Sequence, residues 1–330
     1  MMISRLIVCM LVGPALVGQS GPASAQASFA QAWPTKPIRW IVPYPPGGVT
    51  DAVTRMLAPR LQEALGQPVV IENRPGSNTI IGSEAIATAA PDGTTFGTVI
   101  AAYAANATLY AGKLPFDTEK SFAAVSLVGI APLILTTNLA FPPKDMKELV
   151  AFAKANPGKL SFGSSGIGSA AHLTTELLKQ TIGVDMQHIP YKGTAPALQG
   201  LIGGEIQILV DVPSSLMPQV RGAKIRAQAM FSAKRLPAAL EVPTMAEAGG
   251  PPIESSTWVM VLAPARTPPD IVARLSAETA KIVATPEMRT RFESQGIEPV
   301  GSTPAEAARF RDAEIAKWAG VIKAADVKPE

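Results

Sequence analysis

Short apolar runs alternate with stretches whose apolar positions recur every three or four residues. Ile38–Val42 is continuously apolar and predicts a buried strand. Asp51–Leu65 follows, with Val53, Met56, Leu57, Leu61 and Leu65 on helical spacing, and Pro59 is expected to kink that helix. Val69–Glu72 reads as a strand, Ile80–Ala89 as a helix and Thr94–Ala101 as a strand. The alternation is that of a mostly parallel sheet.

The pattern then restarts. Ala131–Thr137, Leu160–Gly163, Met186–Pro190, Ile206–Asp211, Ile225–Phe231 and Ser256–Ala263 read as strands. Met146–Ala155, Ser169–Ile182 and Ala195–Ile202 read as helices. Two such units predict an α/β chain of two lobes, residues 26–128 with 254–330 and residues 129–253, with a cleft between them. The last third is helical. Thr267-Pro268-Pro269-Asp270, Thr285-Pro286-Glu287 and Thr303-Pro304-Ala305-Glu306 each predict a hydroxyl cap followed by proline and a carboxylate. Phe310, Trp318 and Ile322 of the final helix are expected to pack on the first lobe.

Upstream of the first strand, Arg5 precedes the apolar run Leu6–Val17, and Ala23-Ser24-Ala25 has the small-x-small pattern of a signal-peptidase site. The run is shorter than the roughly 20 residues that span a bilayer core. Residues 1–25 therefore read as a signal peptide cleaved after Ala25, and the protein as periplasmic, without insertion in the membrane. The single cysteine, Cys9, lies inside that segment. Cleavage removes it, and with it disulfides, thiolate metal sites and a cysteine nucleophile. With 29 basic and 26 acidic residues and no basic block, nucleic acid is a poor partner.

The densest chemical signal is Pro43-Tyr44-Pro45-Pro46-Gly47-Gly48-Val49-Thr50-Asp51, between the first strand and the first long helix. Two glycines free the backbone to expose N–H groups, and Thr50 or Asp51 is placed to cap the helix. Unpaired N–H donors and the helix dipole make such a start a site for an anion without any Arg or Lys. Ser161–Ser169, with Ser164, Ser165, Gly166 and Ser169, repeats the design ahead of a second helix. Loops at the carboxyl ends of strands, one per lobe, would face each other across the cleft. Tyr191 and Asp211, at the ends of two further strands, are candidate cleft residues. Asp211 could instead cap Ser214 and Ser215, or could bind a ligand amine or hydroxyl. Tyr44, Tyr103 and Tyr191 could line an apolar portion.

Enzyme readings fit less well. Gly166-x-Gly168-x-x-Ala171 matches a dinucleotide pattern, but Asp185 precedes the next strand, where the ribose-binding acid should end it. Gly163-Ser164-Ser165-Gly166-Ile167 lacks the last glycine of a nucleophile elbow. Two histidines, His172 and His188, give no metal-ligand cluster. No enzyme, cofactor or metal is expected. An exported esterase using Ser165 is the alternative from another class, and a sensor without transport is a third reading.

Taken in order, these segments resemble the Bug family, the extracytoplasmic receptors of tripartite tricarboxylate transporters. The resemblance is carried by Trp33-Pro34-x-Lys36-Pro37-Ile38, Pro43–Asp51, Glu72-Asn73-Arg74-Pro75-Gly76, Pro91-Asp92-Gly93-Thr94 and Leu114-Pro115-Phe116-Asp117. It continues through Gly166-x-Gly168-Ser169-x-x-His172-Leu173, Pro190-Tyr191-Lys192-Gly193, Val242-Pro243-Thr244-x-x-Glu247-Ala248-Gly249 and Leu262-Ala263-Pro264-x-x-Thr267-Pro268. It implies a two-lobed type II periplasmic-binding fold with a hinge. It also implies a small organic carboxylate held through backbone N–H groups and hydroxyls, membrane transporter subunits as partners, and a monomer. The implied first-lobe contacts are Tyr44, Gly48, Val49, Thr50 and Asp51. Those of the second lobe are Ser164, Ser165, Gly166 and Ser169, with Asp211 nearby. Where the family continues with glycines after Arg74-Pro75-Gly76, this chain has Ser77-Asn78-Thr79, so Ser77 and Asn78 are expected to meet the ligand differently.

Overall fold

A computed structural model describes residues 33–329. The expected signal peptide and its cleavage point lie outside the described residues. The chain begins β1 (Ile38–Val42), α1 (Val49–Leu65), β2 (Val69–Asn73), α2 (Ile80–Ala87), β3 (Thr95–Val99) and α3 (Ala101–Leu109). β4 (Phe122–Pro132) and β5 (Ile134–Asn138) come next, followed by α4 (Met146–Ala155), β6 (Ser161–Ser164), α5 (Ala170–Ile182) and β7 (Gln187–Pro190). After these come α6 (Thr194–Gly203), β8 (Ile208–Asp211), α7 (Pro213–Arg221) and β9 (Ile225–Met230). β10 (Ser256–Pro264), α8 (Pro269–Ala284), α9 (Pro286–Ser294), β11 (Glu298–Pro299) and α10 (Pro304–Ala324) complete it.

Two sheets result, in the orders β11-β4-β10-β3-β1-β2 and β7-β6-β8-β5-β9. Each is parallel on one side, β2-β1-β3 and β7-β6-β8, where helical crossovers join the strands. The other side of each is antiparallel. The sheets are thus mixed, where alternation alone predicts mostly parallel ones.

The chain passes from the first sheet to the second between β4 and β5 and returns between β9 and β10. The two crossings run side by side. Leu133 N–H donates to Ser255 O (3.2 Å), Ser255 N–H to Phe231 O (3.0 Å) and Phe231 N–H to Leu133 O (2.8 Å). The run expected as one strand over Ala131–Thr137 is therefore the crossing itself, broken at Leu133 between two strands of different sheets.

One buried cluster extends from Trp40, Leu57 and Phe96 through Val128 and Leu133 to Phe162 and Val210, so both sheets share an apolar core. A second holds Trp258 and Trp318, whose indole N–H groups both donate to Glu314 Oε2, at 2.9 and 2.8 Å. α10 is fastened to the first sheet in this way, as its apolar face predicts. Its start is a capping box between Thr303 and Glu306, and Thr285 caps α9 through Met288 N–H. α8 differs. Pro268 occupies its N-cap and Thr267 makes no cap bond, because the second proline moves the helix start one residue on. α1 runs through Pro59 as one helix.

Candidate functional site

A cavity of about 880 Å³ lies between the parallel halves of the two sheets. Pro43–Thr50, Asn78, Thr79 and Ile100 line it from the first sheet, and Ser165–Ile167, Lys192–Ala195, Asp211, Val212, Ser214 and Ser215 supply part of the facing wall. Leu133, from the first crossing, and Thr257, at the start of β10, are also lining residues. The wall is mostly apolar and backbone. Its charged side chains are Lys192 and Asp211.

α1 begins at Val49, with Gly48 extended at the N-cap and no side-chain cap bond. Its first intrahelical bond runs from Ala52 N–H to Gly48 O, so the N–H groups of Val49, Thr50 and Asp51 stand ahead of the hydrogen-bond ladder. Gly48, Val49 and Thr50 line the cavity, as does Tyr44. The Tyr44 hydroxyl is buried without a well-formed hydrogen bond, and burial raises its pKa.

Asp51 is neither cap nor lining residue. It is 3% exposed and turned inward. Its Oδ2 accepts from Gly47 N–H and Arg55 Nε, both at 2.9 Å, and its Oδ1 from Asn73 Nδ2 at 2.9 Å. Asn73 Nδ2 also donates to Tyr44 O (3.0 Å). The carboxylate thus staples the Tyr44–Gly47 turn to the first helical turn. Burial alone would raise its pKa. Hydrogen bonds from Arg55, Gly47 and Asn73, with the Arg55 charge, outweigh burial and hold it at about 2.

Ser77, Asn78 and Thr79 all have left-handed backbone, at φ 45°, 49° and 74°. This is the conformation the family's glycines would take without cost. Here Asn106 holds it, accepting from Asn78 Nδ2 (2.7 Å) and donating to Asn78 O (2.6 Å). Asn78 lines the cavity, whereas Ser77 is exposed and off the wall.

On the second sheet, Ser169 is the N-cap of α5, its Oγ accepting from His172 N–H (3.2 Å). Ser165, Gly166 and Ser169 line the cavity. Ser164 does not. It is fully buried beneath the loop, where its Oγ meets His188 Nε2 (2.7 Å) and accepts from Gly166 N–H (3.2 Å). His188 stacks on His172 at 3.7 Å between ring centres, and His172 Nδ1 accepts from Gly168 N–H (3.1 Å). Burial, then the charge of each ring's neighbours, lowers the two to about 3 (His172) and about 4 (His188), so both are neutral at ordinary pH. The histidines hold the loop from behind. Ser165 makes no side-chain hydrogen bond among the described residues, so the base an esterase needs is not beside it.

Tyr191 also leaves the wall. Its ring packs against Gly163 and Gly200, and its hydroxyl donates to Glu205 Oε2 (3.1 Å). Tyr103 is buried, with its hydroxyl on Thr118 O. Asp211 stays on the wall, and it bonds Thr194 and Val212, not Ser214 or Ser215. Sequence reasoning missed Lys192, Ser214, Ser215, Thr257 and Gln295 as lining residues. Pro213 at the first turn of α7 was the available signal for Ser214 and Ser215.

Comparison with known proteins gives the same picture. The family model "Tripartite tricarboxylate transporter family receptor" matches residues 53–327. BugT of Bordetella pertussis is 36% identical over 333 residues, covering 99% of each chain. An R. palustris protein solved with adipate is 34% identical, with TM-score 0.81 over 90% of this chain and 100% of its own. MatC from Rhodopseudomonas palustris, solved with bound malate, is 31% identical, with TM-score 0.76 over 88% of this chain and 99% of its own. Such neighbours are periplasmic solute-binding proteins of two lobes, the architecture of the paired mixed sheets here. Among the described residues no helix is long and apolar enough to cross a membrane. The chain belongs to the tripartite tricarboxylate transporter receptor family, as its resemblance to the Bug receptors implied.

Proposed function

We propose that this receptor captures a small organic carboxylate in the cavity between its sheets and delivers it to a membrane transporter. The observation that carries this reading is the start of α1. Its first N–H groups precede the hydrogen-bond ladder, Gly48, Val49 and Thr50 line the cavity, and no cation stands on that loop. A carboxylate fits such donors. The start of α5 at Ser169 supplies a second set, and relatives solved with adipate and malate support the ligand class. Tyr44, Gly48, Val49, Thr50, Asn78, Ser165, Gly166 and Ser169 are the contacts of this reading. Asp51, Ser77, Ser164 and Tyr191 support the wall or stand off it. The lobes are residues 26–128 with 254–330 and residues 129–253. The receptor works as a periplasmic monomer after cleavage following Ala25.

A thermal-shift screen of dicarboxylates, aromatic carboxylates, amino acids, sugars and metal salts tests the reading. A ligand at a hundredfold excess over its Kd stabilises by about 2.7 kcal/mol. A shift with a carboxylate is expected. A shift with sugars or metals alone would sink the assignment. N-terminal sequencing of the secreted protein checks the cleavage point.

A further inference from the structure

Asp51 behind the cavity wall and Asp211 on it are built in opposite ways. Asp51 has Arg55 as counter-ion, and all its hydrogen bonds are turned into the protein. Asp211, the last residue of β8, is also buried, at 7% exposure, yet it lines the cavity. Its Oδ2 accepts from Thr194 Oγ1 (2.8 Å) and its Oδ1 from the N–H of Val212 (2.8 Å). Among the described residues it has no Lys or Arg partner. The other charged wall residue, Lys192, is exposed and forms no ion pair among the described residues.

A carboxylate has about four acceptor directions, and the protein fills two of these. A buried carboxylate with no counter-ion is costly unless something donates to it. Burial raises the pKa of Asp211, and the hydrogen bonds from Val212 and Thr194 only partly oppose it. Thr194 at the start of α6 and Val212 at the N-cap of α7 fix the carboxylate between two helix starts that share the wall. A solute that brings only its own carboxylate to this wall meets repulsion. One that brings an N–H or O–H group meets a free acceptor.

We propose that Asp211 is the specificity-determining residue of the cavity and selects carboxylates that carry a hydrogen-bond donor, an ammonium or a hydroxyl, near the acid group. The proposal rests on the carboxylate-binding reading above.

The test is calorimetric titration of the full-length mature protein with two matched series at one pH: propionate, lactate and alanine, then succinate, malate and aspartate. Hydrogen bonds to charged groups predict a preference of about 10- to 100-fold for the best donor-bearing member of a series over its plain acid. Lactate and malate against alanine and aspartate tell hydroxyl from ammonium. In Asp211→Asn the preference is expected to fall below about threefold, since an amide keeps the shape but not the charge. Equal binding of plain and donor-bearing acids, or a preference that survives in Asp211→Asn, overturns the proposal and leaves carboxylate capture standing. Absence of binding by all six acids overturns the proposal, and with the thermal-shift screen silent for every carboxylate it overturns the carboxylate reading as well. Equal binding in the wild-type series overturns the proposal even if the variant does not fold.

Discussion

Replacing Asp51 with Asn would separate the staple of the first loop from its ligand chemistry. Asn keeps one acceptor oxygen, but its NH₂ group must face Gly47 N–H with Arg55, or else Asn73 Nδ2, all of them donors. The folded-state pKa near 2, against an ordinary 3.8, gives the magnitude. At 1.36 kcal/mol per unit the ionised form contributes roughly 2 kcal/mol to stability. The sign follows from the depressed folded pKa. The contribution is complete above about pH 4–5 and is lost as the pH falls through the folded value near 2. Asp51→Asn should therefore cost roughly 2 kcal/mol at pH 7 and progressively less towards pH 2. At a urea slope of about 3 kcal/mol/M, that is a midpoint lowered by about 0.5–1 M at neutral pH. Urea titrations of both proteins at pH 7, 4, 3 and 2 measure the difference, and other carboxylates cancel in it. A difference that stays constant with pH, or is absent at pH 7, would refute the argument. The same variant should bind its ligand more weakly at pH 7, because the Tyr44–Gly47 turn loses its tie to α1.

Outcomes of substitutions at four further positions follow from the same geometry. Glu314→Ala leaves the buried indole N–H groups of Trp258 and Trp318 without an acceptor. At about 1–3 kcal/mol for each it should lower the thermal midpoint by several degrees, whereas Glu314→Gln should restore most of that. Ser164→Ala strips the buried partner from Gly166 N–H and His188 and should cost about 1–3 kcal/mol in denaturant titration. Ser165→Ala, which loses no side-chain hydrogen bond, should stay within about 0.5 kcal/mol. Lys192→Gln should slow association of an anionic ligand and flatten its dependence on ionic strength in stopped-flow fluorescence. An unchanged salt slope would count against a steering role.

How far the chain could be read in advance depended on where each side chain spends its contacts. α1, α5 and α10 were legible because their apolar spacing and caps are local. α3 was not, because Ala101–Leu109 follows β3 with no polar break, and its first residues look like a longer strand. β4 is buried along nearly its whole length between β10 and β11, so it lacks the alternation that marks a strand. The antiparallel halves of both sheets depend on pairings between distant segments, such as β10 with β3 and β4, which no local pattern encodes. The site was read in the same uneven way. Gly48, Val49 and Thr50 follow from the loop itself. The inward turn of Asp51 follows from Asn73, 22 residues away. Ser164 looked like a donor for the ligand and is instead held by His188 from the neighbouring strand. Asp51 and Asp211 are the same residue at similar junctions, and only their distant partners separate a brace from a wall.

The paired crossings at Phe231 and Ser255, neither of which lines the cavity, make affinity adjustable without touching the ligand. If only part of the population is in the binding-competent arrangement, the apparent Kd is the intrinsic value divided by that fraction. The seam carries three backbone hydrogen bonds around Leu133, Phe231 and Ser255 and a bond between Ser255 Oγ and Thr174 Oγ1 of α5 at 2.6 Å. A substitution there that shifts the balance by about 1.4 kcal/mol changes apparent affinity tenfold. Relatives on this scaffold could thus diverge in sensitivity through the seam and in ligand choice through the wall, two separately heritable traits of one chain.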